Sequence, residues 1–305
     1  MLTVSAPLRA SDIRQLHSSH QITLGVPMAS LNDHTPQLLP LSNRPAIWYD
    51  ERLAAECGVT VAFTGREGGV SAPPYASLNL AGHVGDIPDD VDRNRTIVLE
   101  ALGLGSCRDR LVSAEQVHGE SIVVVGDAEA GEGAFAADGR PPVRETDALL
   151  TAEPGTPLLM CFADCVPVVI VAPGPVVAVV HAGWRGSLAS LPGKTARRLS
   201  QVAECRTSDL LAYIGPHVRS CCYEVSDEIL SHFVNTFGTL ARAESGHLDL
   251  EFTVRQSLED AGVAQWRIAS LGTCTADETH AFYSYRAENG TTGRHGALAC
   301  IGSSP

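Results

Sequence analysis

The most apolar stretch of the chain, Pro157–Ala182, constrains the fold more than any other feature. It contains Asp164 and four prolines, and it breaks at Pro173-Gly174-Pro175. A membrane-crossing helix needs about 20 nearly unbroken apolar residues, so a membrane span is excluded here. Short buried strands joined by turns fit instead: Pro157–Ala163, Val166–Ala172 and Val176–Val180, with Ala148–Thr151 before them. Strands this uniformly aliphatic are covered on both faces, which predicts a layered α/β or α+β core. Further strands are expected at Val59–Phe63, Leu111–Val117, Ser121–Val125, Leu210–Ile214 and Trp266–Ser270. Helices are expected from Asp89 or Asp90 to near Gly103, and at Gly193–Ala203, Ser226–Phe237 and Phe252–Ala261. The Gly/Pro/acidic segment Gly126–Arg144 reads as a mobile loop and hinge. Residues 1–45 show no sustained period and read as a loosely held extension to one main domain, 46–305.

Composition narrows the class. A chain of 305 residues with 44% hydrophobic and 19% charged residues is a globular protein. The net charge of −13 repels phosphate backbones at long range, which argues against nucleic-acid binding. A few arginines in a cleft can still hold one small anion. Nine cysteines form no framework spacing, and Cys221-Cys222 is a vicinal pair ill suited to an ordinary disulfide. Scattered thiols and an N-terminus without signal-peptide character predict a cytoplasmic, reducing setting.

Two motifs mislead. Gly193-Lys194-Thr195 opens a helix after a strand, but a phosphate-binding P-loop needs a glycine five residues earlier, where Leu188 stands. Gly65-Arg66-Glu67-Gly68-Gly69 lacks dinucleotide spacing. It reads either as a tight turn or as a flexible backbone presenting Arg66 to an anionic group.

His118, Cys165 and His181 carry the chemistry. Each sits where a strand ends and a loop begins. Two imidazoles and a thiolate suit tetrahedral zinc with an open fourth position. The intervals of 47 and 16 residues are too long to form a signature alone, and either His could be a satisfied core histidine. Aliphatic surroundings make an unpartnered imidazole costly, which favours a ligand role. Asp164 could orient an imidazole or cap the kink beside Cys165. Copper is the alternative metal, but Met160, the nearby methionine, points away from Cys165 in an extended strand. A third reading is a metal-free Cys165–His181 pair for acyl transfer, with His118 orienting.

At these residues the chain resembles the YfiH/laccase-domain family. The likeness runs over about residues 48–300. It begins at Phe63-Thr64-Gly65-Arg66-Glu67-Gly68-Gly69, Ser77-Leu78-Asn79-Leu80 and His83-Val84-Gly85-Asp86. It continues through Gln116-Val117-His118-Gly119, Thr146-Asp147-Ala148-Leu149, Ala163-Asp164-Cys165-Val166-Pro167 and His181-Ala182-Gly183-Trp184-Arg185-Gly186. Cys222-Tyr223-Glu224-Val225, Cys274-Thr275, Tyr283-Ser284-Tyr285-Arg286 and Thr292-Gly293-Arg294 complete it. Ala287 departs from a second arginine common after Ser-Tyr-Arg.

The resemblance implies a single α/β/β/α domain related in architecture to cytotoxic-necrotising-factor-like cysteine hydrolases. It implies a purine nucleoside phosphorylase acting on adenosine, inosine and methylthioadenosine, with adenosine deaminase activity. The alternatives are a copper polyphenol oxidase or a metal-free Cys/His hydrolase or amidase. The implied partners are purine nucleosides and phosphate, with neither nucleic acid nor membrane; the sequence leaves oligomeric state open. The family's zinc ligands fall on His118, Cys165 and His181, which are also the catalytic candidates. Arg66 and Arg185 are the phosphate candidates, and Asn79 and His83 are candidates for ribose or base.

Overall fold

The computed structural model describes residues 31–41, 45–244 and 246–302. In chain order the strands and helices begin with β1 (Leu39–Pro40), β2 (Ile47–Tyr49), α1 (Glu51–Cys57), β3 (Val59–Thr64) and α2 (Pro88–Ala101). Next come β4 (Val112–Ser113), β5 (Ile122–Val125), β6 (Ala148–Thr151), β7 (Leu158–Phe162), β8 (Val166–Ala172) and β9 (Val176–Ala182). The remainder are α3 (Trp184–Leu188), α4 (Leu191–Val202), β10 (Leu211–Ile214), α5 (Asp227–Phe237), α6 (Leu250–Ala261), β11 (Ile268–Ser270) and β12 (His295–Ile301).

Two mixed sheets pack face to face. One runs β1-β2-β3-β12-β7-β4 and the other β11-β10-β8-β9-β6-β5. Phe63, Met160 and Phe162 of the first meet Val169, Val179 and Tyr213 of the second in the inter-sheet core. The outer face of the second sheet buries Val168, Ile170 and Val180 against Leu199, Phe233 and Val254 of the helices. Leu159 and Leu298 of the first sheet pack with Val98 and Leu99 of α2. The order is therefore helix, sheet, sheet, helix. Strand β8 shows why its sequence has no polar alternation: successive residues enter different apolar layers, and all seven are buried. Among the described residues no helix is long and apolar enough to cross a membrane.

Several elements differ from expectation. The strand expected over Leu111–Val117 shortens to Val112–Ser113, and the chain from Ala114 onward leaves the sheet toward His118. Strand β12 was not anticipated, because His295-Gly296-Ala297-Leu298-Ala299 carries little β-propensity. Its small residues answer to crowding: a Cβ on Gly296 would lie 2.7 Å from Leu80 Cδ1 and 2.9 Å from Leu159 Cδ1. Gly126–Arg144 is pinned rather than hinge-like. Arg95 donates to the carbonyls of Gly133 (2.7 Å) and Ala134 (2.9 Å), and Arg108 donates to Ala134 (2.8 Å). Gly193 serves helix packing, since a Cβ there would sit 2.2 Å from the Ser257 carbonyl.

Within the segment read as an extension, residues 31–41 pack against the domain. Leu31 is buried, and His34 bonds Asp50 at 2.8 Å. Residues 1–30 and 42–44 lie outside the described residues.

Candidate metal and active site

The site forms where the chain changes sheets. Strand β7 belongs to one sheet and β8 to the other, and only Ala163-Asp164-Cys165 connects them. Asp164 caps this corner. Its carboxylate accepts from Thr275 Oγ1 (2.7 Å) and the Arg286 N–H (2.9 Å), and its carbonyl accepts from the Val218 N–H (3.1 Å). Of the two roles open to Asp164 in the sequence, capping is the observed one. His181 enters from β9, paired in register with Pro167 of β8. His118 arrives on the loop after β4, which Gln116 ties to β7 by two bonds with the Cys161 backbone, at 2.8 and 2.9 Å.

These routes converge. One donor atom from each of His118, Cys165 and His181 lies within 4.8 Å of the others. Cys165 Sγ is 3.8 Å from His118 Nε2, and the two imidazole rings meet edge to face with centroids 4.8 Å apart. Gly183 makes the convergence sterically feasible. A Cβ there would stand 2.9 Å from His118 Cδ2 and 3.1 Å from Cys165 Sγ.

Asp147 organises the cluster, and sequence reasoning missed it. Its carboxylate accepts the backbone N–H groups of Val117 (3.3 Å), His118 (3.0 Å) and Gly119 (2.7 Å). Those bonds hold His118 in the left-handed region, at φ 60°, where a non-glycine residue is strained. The same carboxylate meets His181 Nδ1 at 2.7 Å. In the neutral imidazole, the form that ligates a metal, a carboxylate there assigns the proton to Nδ1 and turns the Nε2 lone pair inward. Thr146-Asp147-Ala148-Leu149 did carry part of the family likeness, which was the available signal.

The protonation states follow from these contacts. Burial pushes the Cys165 thiol up, but the His181 charge and the bonds to His118 and His181 outweigh it, bringing it down to about 6. Burial opposes the charged form of His181, yet the Cys165 thiolate and Asp147 raise it to about 9. Burial also opposes ionisation of Asp147, but its bonds to His181 and to the Gly119 and Val117 N–H groups leave its pKa lowered.

A cavity of about 440 Å³ opens over the cluster. His83, Tyr223, Tyr285, Arg286 and Arg294 line it with the three donors. The guanidinium of Arg286 lies over the Tyr223 ring, 5.1 Å from its centroid, and that of Arg294 lies 5.6 Å from the Tyr285 centroid. Burial, then the charges of Arg294 and Arg95, lower the pKa of His83 and keep it neutral at pH 7.

The other sequence candidates are positioned differently. Arg66 is absorbed by the fold: it donates to the carbonyls of Ala76 and Thr279, pairs with Glu288 at 3.1 Å and lies over Tyr283. Asn79 is fully buried and bonds Asp86, the Ala81 backbone and the Arg294 N–H. Arg185 is exposed on α3 and stacks on Trp184. None of these three belongs to the cavity lining, whereas His83 does. Arg286 and Arg294, passed over as anion binders in the sequence, are the cavity's arginines.

Residues 60–302 match the family model described as multi-copper polyphenol oxidoreductase laccase. The chain belongs to this YfiH/laccase-domain family. It is 38% identical over 253 residues to purine nucleoside phosphorylase YlmD of Geobacillus stearothermophilus, covering 80% of this chain and 90% of that protein. It is 34% identical over 244 residues to purine nucleoside phosphorylase YfiH of Escherichia coli, covering 78% and 91%. The crystal structure of YlmD from Geobacillus stearothermophilus superposes with a TM-score of 0.78 at 33% identity, covering 88% of this chain and all of that one, 100%. The Bacillus licheniformis YfiH crystal structure gives the same TM-score, 0.78, at 32% identity and covers 86% and 98%. Family and donor cluster together point to a metal at this site.

Proposed function

We propose that the chain is a zinc-dependent purine nucleoside phosphorylase for adenosine, inosine and methylthioadenosine, with an accompanying adenosine deaminase activity. The observation that carries the reading is the convergence of two imidazoles and an acidified thiol beneath an arginine- and tyrosine-lined cavity. The names of the YlmD and YfiH relatives support it. The donor set fits zinc: mixed nitrogen and sulfur ligands, three in number, with a carboxylate fixing one imidazole. Met160 lies in the inter-sheet core, so it does not supply the axial thioether of a blue-copper site.

His118, Cys165 and His181 would hold the ion. Bound there, zinc supplies positive charge that polarises a phosphate oxygen or a ring substituent. The chain's own groups do the rest. Arg286 and Arg294 bind phosphate, and Tyr223 and Tyr285 flank the purine. In phosphorolysis a phosphate oxygen bonds to ribose C1′ as the C1′–N9 bond breaks, and the purine leaves with the bonding pair and takes up a proton. Holding the two reactants in contact supplies much of the acceleration. In deamination water adds at C6 of adenine and ammonia departs. The neutral His83 imidazole is the group on the cavity wall to accept the water proton and return it to the amine.

A second reading rests on the proximity of Cys165 and His181, whose donor atoms lie within 4.8 Å of each other. Without a metal, their mutual attraction favours a thiolate–imidazolium pair, the ground state of a cysteine hydrolase. Phosphate-dependent release of hypoxanthine and adenine from inosine and adenosine, on protein of known metal content, separates the two. Release that disappears in His118→Ala supports the phosphorylase. Zinc-loaded protein that releases no base, together with ester or amide cleavage that survives a chelator, supports the hydrolase.

A further inference from the structure

A second cluster of soft ligands lies outside the catalytic donors. The turn at Arg219–Cys222 is closed by the Cys222 N–H donating to the Arg219 carbonyl at 2.9 Å. It turns two adjacent thiols toward one carboxylate: Cys221 Sγ donates to Asp277 Oδ2 and Cys222 Sγ to Asp277 Oδ1, each at 3.0 Å. Cys274 completes the group and accepts the Arg219 N–H at 3.4 Å. One donor atom from each of Cys221, Cys222, Cys274 and Asp277 lies within 4.8 Å of the others.

We propose that Cys221, Cys222, Cys274 and Asp277 form a structural site for a thiophilic divalent cation of the zinc class. Three sulfurs and one oxygen make a closed tetrahedral set, in contrast to the three-donor set with an open position beneath the cavity. Tetrahedral ligands about 2.3 Å from a zinc ion stand roughly 3.8 Å apart, so the existing spread needs only small side-chain rotations. The thiol protons already point at Asp277, and an ion at the centre displaces them to solvent. Cys221 and Asp277 are exposed, which gives the ion an entry path. Ligation requires thiolates, so binding expels the thiol protons and weakens as pH falls.

The location gives the site a purpose. Cys222 precedes Tyr223 on the cavity wall, and Cys274 precedes Thr275, whose hydroxyl holds the Asp164 corner beside Cys165. An ion here staples the loops that carry one side of the substrate cavity onto the sheet corner that carries Cys165.

The test is elemental analysis of full-length protein equilibrated with zinc and desalted. Cys165→Ser, which removes a donor of the other cluster, keeps bound zinc, and the Cys221→Ser/Cys274→Ser variant holds one equivalent less than wild type. Cadmium added to Cys165→Ser produces a thiolate charge-transfer band and protects Cys221, Cys222 and Cys274 from iodoacetamide in peptide mass mapping. That second readout serves even if the double variant does not fold. Zinc-free Cys165→Ser with all three thiols alkylated in the presence of cadmium overturns the proposal. So does a disulfide among the three that, once reduced, leaves no cadmium bound. If Cys165→Ser instead retains as much zinc as wild type, the catalytic-site reading fails and this one stands.

Discussion

The two thiol-containing clusters use similar donors and arrive at opposite chemistry. At His118–Cys165–His181 the carboxylate, Asp147, stands behind an imidazole, and the thiol faces groups that can carry positive charge. At Cys221–Cys222–Cys274 the carboxylate, Asp277, stands among the thiols and faces them directly. The first thiol is drawn down to about 6 and the second pushed up to about 12. Burial raises both thiols, and the sign of the nearest charge separates them: positive partners outweigh it at Cys165, and the Asp277 carboxylate adds to it at Cys221.

The strongest way to break the contrast is to remove a donor. His181→Ala is expected to take phosphate-dependent base release to background, with zinc lost from that site by elemental analysis. Asp147→Asn keeps the shape but weakens the inward orientation of His181. Metal affinity or activity should fall by roughly 10–100-fold, measured by zinc competition against a chromophoric chelator. Gly183→Ala drives a methyl group between His118 and Cys165. It should cost about 1–3 kcal/mol of stability in denaturant unfolding, with weakened zinc binding.

The pH profile sharpens the comparison without a mutation. A thiol is nucleophilic only when ionised, so in metal-free protein Cys165 alkylation by iodoacetamide should rise with pH around a midpoint of about 6 and fall away below it. Cys221, raised by burial and the Asp277 carboxylate, should alkylate far more slowly than Cys165 at neutral pH. Peptide mass mapping across pH reads both at once. The smallest expected effect is that of Arg185→Ala. Arg185 stacks on Trp184 away from the cavity, so kcat/KM should stay within about two-fold of wild type.

Sequence patterning exposed the parts that rest on local, repetitive physics. Strands β6, β8 and β9 were legible because burial on both faces leaves unbroken aliphatic runs. Cys165 and His181 stood out as polar interruptions at the ends of such runs, whereas His118 follows the mixed segment Ser113-Ala114-Glu115-Gln116-Val117 and was carried by the family likeness. Asp147 was not legible as an organiser, because its partners are backbone N–H groups and an imidazole 34 residues away, none of them visible as a pattern. Arg66 misled for the related reason that the carbonyls absorbing it come from residues 279 and 282. Strand β12 hid because its pairing with β3 and β7 outweighs the weak preferences of glycine and alanine. The helix α6 began earlier than expected, because Asp249 rather than a later residue caps it, accepting the Phe252 N–H at 2.9 Å.

The most direct measurement is base release from inosine, with and without phosphate, by chelator-stripped protein before and after zinc is restored. Activity that requires phosphate, vanishes on stripping and returns with zinc in wild type but not in Cys165→Ser is the expected result. Full phosphorolysis by stripped protein, or by Cys165→Ser, would contradict a zinc centre built from His118, Cys165 and His181.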